Sequence, residues 1–76
     1  MKLPVLKSDE LIKILEGLGF VYLRQKGSHA RYGHVDGRVT TVPVHPGKDI
    51  PRGLLRKIIR EDIKIELEEF LNLINK

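Results

Sequence analysis

The sequence predicts an α+β protein in which helices cover one face of a three-stranded antiparallel sheet. Three observations predict this class. Apolar residues first recur at helical spacing, three short β-type runs separated by glycines follow, and two more helical stripes complete the chain. Helices packed on one side of such a sheet leave its other face open.

Length and composition place limits on the class of protein. The 76 residues are expected to form a single domain over residues 1–76, and the absence of cysteine excludes disulfides and thiolate metal sites. Apolar residues make up 41% and charged residues 32%, as in globular proteins. No apolar run is long enough to span a bilayer, and the first residues do not resemble a signal peptide. We therefore expect a soluble cytoplasmic protein with no membrane partner.

The net charge of +4 is unevenly distributed along the chain. Residues 1–21 are neutral, residues 22–60 carry +7, and residues 61–76 carry −3. The middle of the chain is therefore expected to attract polyanions, while the tail is acidic.

Residues 8–19 predict the first helix. Ser8 is a favourable N-cap, and two acidic residues follow in the first turn, where the helix dipole favours negative charge. Gly19 stands where a left-handed residue would end the helix. The buried stripe repeats at helical spacing and consists of Leu11, Ile14, Leu15 and Leu18.

Three β-type runs follow, over residues 20–25, 29–34 and 38–44. Gly27 ends the first run, and Asp36-Gly37 is a strong hairpin signal between the second and third. The sequence therefore predicts three consecutive antiparallel strands.

The length of the second turn decides which way His29 points. A two-residue loop places His29 on the same face as Val42. A three-residue loop with a glycine bulge pairs His34 with Arg38 and turns His29 and Arg31 to the opposite face. We prefer the three-residue loop because it separates apolar from polar side chains better, and a one-residue slip would reverse every side chain.

Two helices are expected after a loop over residues 45–51. Pro51 suits the first position of the first of them, whose apolar stripe is Leu54, Leu55, Ile58 and Ile59. Another face of that helix carries arginines four residues apart: Arg52, Arg56 and Arg60. After Glu61 and Asp62 a short link leads to a last helix with the stripe Leu67, Phe70, Leu71 and Ile74. The resulting order, α-β-β-β-α with a short extra helix, is like that of double-stranded-RNA-binding domains.

The tripeptide Gly27-Ser28-His29 lies in the most basic stretch of the chain. Imidazoles exchange protons near neutral pH, and cations stabilise the charge that develops when a ribose 2′-hydroxyl attacks the adjacent phosphate. His29 is therefore a candidate general acid or base. The candidate RNA-binding residues are Arg24, Lys26, Ser28, Arg31 and Lys48; the last precedes a helix N-terminus.

Five short motifs occur in order along the chain. They are Gly19-Phe20, RQKGSH over residues 24–29, TVPVHPGK over 41–48, LLRKII over 54–59 and LEEFL over 67–71. Together they resemble the HicA family of toxins across nearly the whole chain. The resemblance implies a fold like the double-stranded-RNA-binding domain, a cytoplasmic mRNA interferase and a neutralising antitoxin of the HicB type. It places the catalytic histidine of the family on His29. Residues 61–66 depart from the Gly-containing turn usual in that family.

No metal and no cofactor are expected. Magnesium sites need clustered carboxylates, and the central segment offers only Asp36 and Asp49. The three histidines lack regular ligand spacing. His34 is interpreted as a hairpin residue, and His45 is a candidate for the second proton transfer that one imidazole cannot perform.

Three functions remain open from the residues. The first is a metal-independent endoribonuclease toxin. The second is a non-catalytic double-stranded-RNA-binding module, which would keep the cations without depending on His29. The third is a protein–protein adaptor that uses the arginine face of the second helix.

Overall fold

The α+β order predicted from the sequence is confirmed in the computed structural model, which describes residues 3–74. Helix α1 (Ser8–Gly17) precedes three strands, β1 (Val21–Lys26), β2 (His29–Gly33) and β3 (Val39–Pro43). Helix α2 (Arg52–Lys57) continues into a π-helical segment (Ile58–Ile63), and helix α3 (Leu67–Ile74) ends the described chain. No helix within residues 3–74 has the length and apolar character needed to cross a membrane.

The strands form an antiparallel sheet in the order β1-β2-β3, and the predicted three-residue loop joins β2 to β3. The His34 N–H donates to the Arg38 carbonyl at 2.8 Å, and the Gly37 N–H donates to the His34 carbonyl at 3.0 Å. Gly37 has φ +99°, a backbone conformation that residues with a side chain rarely adopt. Because Ala30 consequently pairs with Val42, the preferred register is confirmed.

Strand β1 contains a β-bulge that the sequence did not predict. Tyr22 pairs with Tyr32 and Arg24 pairs with Arg31, so Leu23 is an extra residue on β1. Without the bulge, Tyr22 and Arg24 would lie on the same face of the sheet. With it, the tyrosine joins the buried face of β2 while the arginine joins the opposite face.

Helix α1 begins one residue earlier than expected, with Lys7 rather than Ser8 at the cap position. The Lys7 N–H donates to the Glu10 carboxylate at 2.9 Å, which replaces capping by a serine hydroxyl. Gly19 follows the helix with φ +99°, as predicted. A side chain there would also crowd the His34 ring, since a Cβ would lie 3.0 Å from Nε2.

The core lies between the helices and one face of the sheet. Phe20, Ala30, Tyr32 and Val42 are buried there against apolar residues of every helical segment: Leu11, Leu15, Leu55, Ile58, Ile59, Ile63 and Phe70. Leu3 and Leu6 are also buried, which the sequence did not predict. They are anchored because the Ile50 N–H donates to the Leu6 carbonyl at 2.8 Å.

One prediction about the second helix is wrong. Pro51 precedes the helix, with φ −55° and ψ 136°, rather than occupying its first position. The helical run ends close to Asp62, as expected, but its last six residues form a π-helical turn to Ile63 that the sequence did not predict, and this turn buries both Ile59 and Ile63. The turn ends at Lys64 in the left-handed conformation, φ 60°. Thr40, buried in β3, donates to the Asp62 carboxylate at 2.9 Å and ties this turn to the sheet.

Candidate functional site

The sheet face opposite the core, called here the open face, carries the basic residues. Side chains that pair across antiparallel strands share a face. Two rows of partners therefore cross the open face, Lys26–His29–Pro43 and Arg24–Arg31–Thr41. Adjacent rows on one face lie about 6.7 Å apart, so the His29 imidazole and the two arginines can contact one phosphate group.

These two rows enclose a shallow pocket of about 220 Å³. Its lining residues are Arg24, Lys26, His29, Arg31 and Thr41. Three of the five are cationic and none is a carboxylate, so the pocket favours an anion. Four of the six residues predicted to form the site thus lie together.

The turn before β2 positions His29. Gly27 and Ser28 form a two-residue loop in which Gly27 has φ +59°, as such tight hairpins require. The Gln25 side-chain amide donates to the Gly27 carbonyl at 3.0 Å, and the Val44 N–H donates to the Ser28 carbonyl at 2.6 Å. His29 begins the strand immediately after this anchored loop, and its side chain is exposed to solvent at the pocket.

Thr41 is a member of the site that sequence reasoning did not select. Its hydroxyl accepts a hydrogen bond from Arg31 Nη1 at 3.0 Å, and this contact is partly buried. A guanidinium held in this way loses little further side-chain entropy when its remaining N–H groups bind an anion. The predicted strand register already placed Thr41 beside Arg31, which was the available signal.

Two predicted RNA-binding residues do not line the pocket. Ser28 lies in the turn next to it and uses its carbonyl in the sheet. Lys48 lies in the exposed loop after β3, where its N–H donates to the His45 carbonyl at 3.0 Å. His45, the candidate second proton-transfer group, is exposed in the same loop and also does not line the pocket.

His34 has a structural role, in agreement with its interpretation as a hairpin residue. Its Nδ1 accepts from the Asp36 N–H at 3.1 Å, so Nε2 carries the proton that it shares with the Leu18 carbonyl at 3.1 Å. The ring also meets the edge of Phe20, with centroids 5.2 Å apart. His34 therefore joins the hairpin to the end of α1.

Arg38 belongs to the basic stretch but not to the pocket. Its guanidinium lies over the Phe20 ring at 5.2 Å and donates to the Asp36 carboxylate at 2.8 Å. It also donates to the Ile63 carbonyl at the end of the π-helical segment. This arginine therefore fastens the hairpin to the helices.

Other charged groups lie away from the pocket. Arg52 and Arg56 of α2 and Arg60 of the π-helical segment are exposed, and Arg60 lines a separate groove of about 580 Å³ beside Lys64. Over residues 3–74, no three His, Asp or Glu side chains come together as metal ligands.

A comparison with protein-family models identifies a family for this chain. Residues 8–64 match the model described as the HicA toxin of bacterial toxin–antitoxin systems. The matched range contains α1, the whole sheet, α2 and the π-helical segment, and thus every residue of the pocket. A comparison with curated proteins finds no significant match.

Proposed function

This chain belongs to the HicA family of toxins of bacterial toxin–antitoxin systems, and we propose on that premise that it is a metal-independent endoribonuclease that cleaves mRNA. The observation that carries the proposal is the pocket on the open face. An exposed histidine lies there among three cations, with no carboxylate in the lining. A module that only binds RNA would need the cations but not the imidazole.

In the proposed reaction, a ribose 2′-hydroxyl attacks the adjacent phosphorus in line, and the 5′-oxygen of the next nucleotide leaves. One proton must leave the 2′-oxygen and one must reach the leaving oxygen. His29 transfers one of them. The pocket lining contains no second imidazole or carboxylate, so the other proton is assigned to solvent water.

The cations of the pocket stabilise negative charge in this mechanism. The phosphorane carries one more negative charge than the phosphate diester, and prearranged cations stabilise that extra charge. Arg31 is the best prearranged, because Thr41 holds its guanidinium. Arg24 and Lys26 face it and His29 from β1. We propose that Ser28 and Lys48 bind more distant phosphates of the same strand.

Membership of the family implies a cognate antitoxin, and we propose that it is of the HicB type. A protein that neutralises this toxin must compete with RNA for access to His29. The cationic pocket therefore favours an antitoxin whose contacting surface is acidic.

The test is cleavage of RNA by a His29→Ala variant. We expect the rate of cleavage to fall by about 10²–10⁴-fold, and growth inhibition on induced expression to be lost. The affinity for RNA should change little, because the three cations remain. Cleavage is measured on end-labelled RNA, and binding is measured separately at the same salt concentration.

His45→Ala is the matched control, since it removes an exposed histidine outside the pocket. That variant should cleave like the wild type. Wild-type cleavage should also persist in EDTA, because the mechanism uses no metal. A His29→Ala protein that cleaves RNA at the wild-type rate would refute the proposal and favour the RNA-binding module.

A further inference from the structure

An apolar row lies next to the cationic pocket on the open face. Val21 pairs with Gly33, and Gly33 pairs with Val39, which makes this the third row after the two that form the pocket. Val21 is 58% exposed and Val39 is 40% exposed. Exposed apolar side chains that cluster beside a charged site mark a binding surface more often than scattered ones do.

The bulge in β1 adds Leu23 to this row. A Cβ built on Gly33 would lie 2.9 Å from Leu23 Cδ1, so the leucine side chain lies directly over the glycine. Leu23 remains 51% exposed in this position. The bulge therefore sets an apolar side chain beside Arg24, and Gly33 provides the space beneath it. We call Val21, Leu23 and Val39 the apolar platform.

We propose that the apolar platform binds the face of an unpaired base in the nucleotide next to the scissile phosphate. The inference rests on the proposed function, since it assigns the phosphate to the pocket. It names the substrate class as single-stranded RNA and makes the three platform residues determinants of substrate binding.

The distance between the platform and the pocket, and the positive charge of the pocket, both support an unpaired base as the group that the platform binds. The platform lies one row, about 6.7 Å, from Arg24 and Arg31, and a base is joined to its own phosphate through a single ribose. Cationic and apolar surfaces side by side match the alternation of phosphate and base along one RNA strand. A base within a duplex has both faces covered by stacking, so only an unpaired base fits.

The experiment compares intact RNA with RNA that carries an abasic ribose on one side of a mapped cleavage site. An abasic ribose keeps the 2′-hydroxyl and the phosphate and removes only the base. We expect kcat/KM of the wild type to fall roughly tenfold for one of the two flanking positions, from loss of apolar contact. Cleavage of the same sequence in a duplex should be slower still.

The matching variants are Leu23→Thr and Val39→Thr, because threonine is polar but has a β-branched side chain suited to strands. Each should slow cleavage of intact RNA by about three- to tenfold and should reduce the effect of the abasic substitution. Val35→Thr is the control, because Val35 is 99% exposed in the hairpin loop, away from the platform. It should cleave like the wild type, and thermal unfolding checks that all three variants fold.

The outcomes separate this inference from the proposed function. A wild-type protein that cleaves no RNA contradicts the proposed function itself. A wild-type protein that cleaves but ignores both abasic substitutions overturns the platform alone. Platform variants that cleave normally but lose affinity for the antitoxin would also overturn it, and would assign the surface to protein docking.

Discussion

Asp36 organises the turn between β2 and β3. Its carboxylate accepts from the Arg38 N–H at 3.0 Å and from the Arg38 guanidinium at 2.8 Å, and it lies 3.1 Å from His34 Nδ1. The hydrogen bond from the Arg38 backbone, helped by its guanidinium, lowers the pKa of Asp36 below the ordinary value of 3.8. A single ionised side chain thus closes the loop whose length sets the direction of His29.

This lowered pKa predicts the pH dependence of an Asp36→Asn variant. A carboxyl with a lower pKa in the folded state stabilises the protein above its unfolded pKa, and loses that effect as the pH falls through the folded pKa. At pH 7 the variant should therefore unfold at a lower temperature than the wild type. The difference in Tm should shrink below pH 4 and vanish once the wild-type carboxyl is protonated.

Glu66→Gln is the control, because it removes an exposed carboxylate outside the helices and strands. Its Tm should follow the wild type across the pH range. An Asp36→Asn difference that stays constant down to pH 2 would show that the ionised carboxylate does not stabilise the loop.

The two faces of β3 carry residues with different roles, one face packing in the core and the other lining the pocket. Thr40 points into the core and donates to Asp62, whereas the next residue, Thr41, points to the open face and holds Arg31. The first hydrogen bond joins the sheet to the π-helical segment, and the second prepares the pocket. The two neighbouring threonines therefore have different roles, because successive side chains of a strand point to opposite faces of the sheet.

Substitution of each threonine by valine separates these roles. Thr40→Val leaves the partly buried Asp62 carboxylate without this partner, and should lower the free energy of unfolding by about 1–2 kcal/mol with little change in cleavage at low temperature. Thr41→Val should unfold like the wild type but cleave more slowly, because Arg31 loses its anchor. Urea unfolding and single-turnover cleavage measure the two effects. Equal stability of Thr40→Val and the wild type would contradict the role of this tie.

Over the whole molecule, the sheet separates a cationic surface from the core and the acidic C-terminal helix. The pocket collects Arg24, Lys26 and Arg31, while α3 exposes Glu68 and Glu69. The net charge of +4 therefore understates the field at the pocket. Association with RNA through such a surface releases counterions and depends on salt.

The salt dependence of RNA affinity tests this picture. If the three pocket cations each contact a phosphate of a single strand, a plot of log K against log salt concentration should have a slope of about −2. Arg24→Gln should make that slope shallower by roughly 0.7. The catalytically inactive His29→Ala protein is used so that the RNA stays intact.

Arg52→Gln is the matched control, since it removes an exposed arginine at the start of α2 rather than one in the pocket. Its slope should equal that of the parent protein. A slope near zero for the parent would instead favour the adaptor function and a protein partner for the arginines of α2.

The parts of the fold that follow from local pattern were predictable. Helical spacing located α1 and α3, and β-type runs separated by Gly27 and Asp36-Gly37 located the strands. The preferred hairpin register also followed, because only one loop length puts Ala30 and Val42 on the same buried face. That register was sufficient to place His29 and Arg31 together on the open face.

The remaining features depend on contacts between residues far apart in the chain. The bulge at Leu23 has no local signature, because it is set by which face of β1 must meet Tyr32 and Arg31. The π-helical turn exists because Ile59 and Ile63 are both buried while Asp62 meets Thr40. Arg38 does not line the pocket, because its guanidinium lies over the Phe20 ring and donates to the Ile63 carbonyl.

The sequence by itself therefore determined the element order, the register of the hairpin and the identity of the histidine on the open face, since each depends on periodicity within a short segment. Only the tertiary structure decided which cations share the pocket with that histidine and what lies beside them. These depend on one extra residue in β1 and on side chains from distant segments, whose pairing no local spacing encodes.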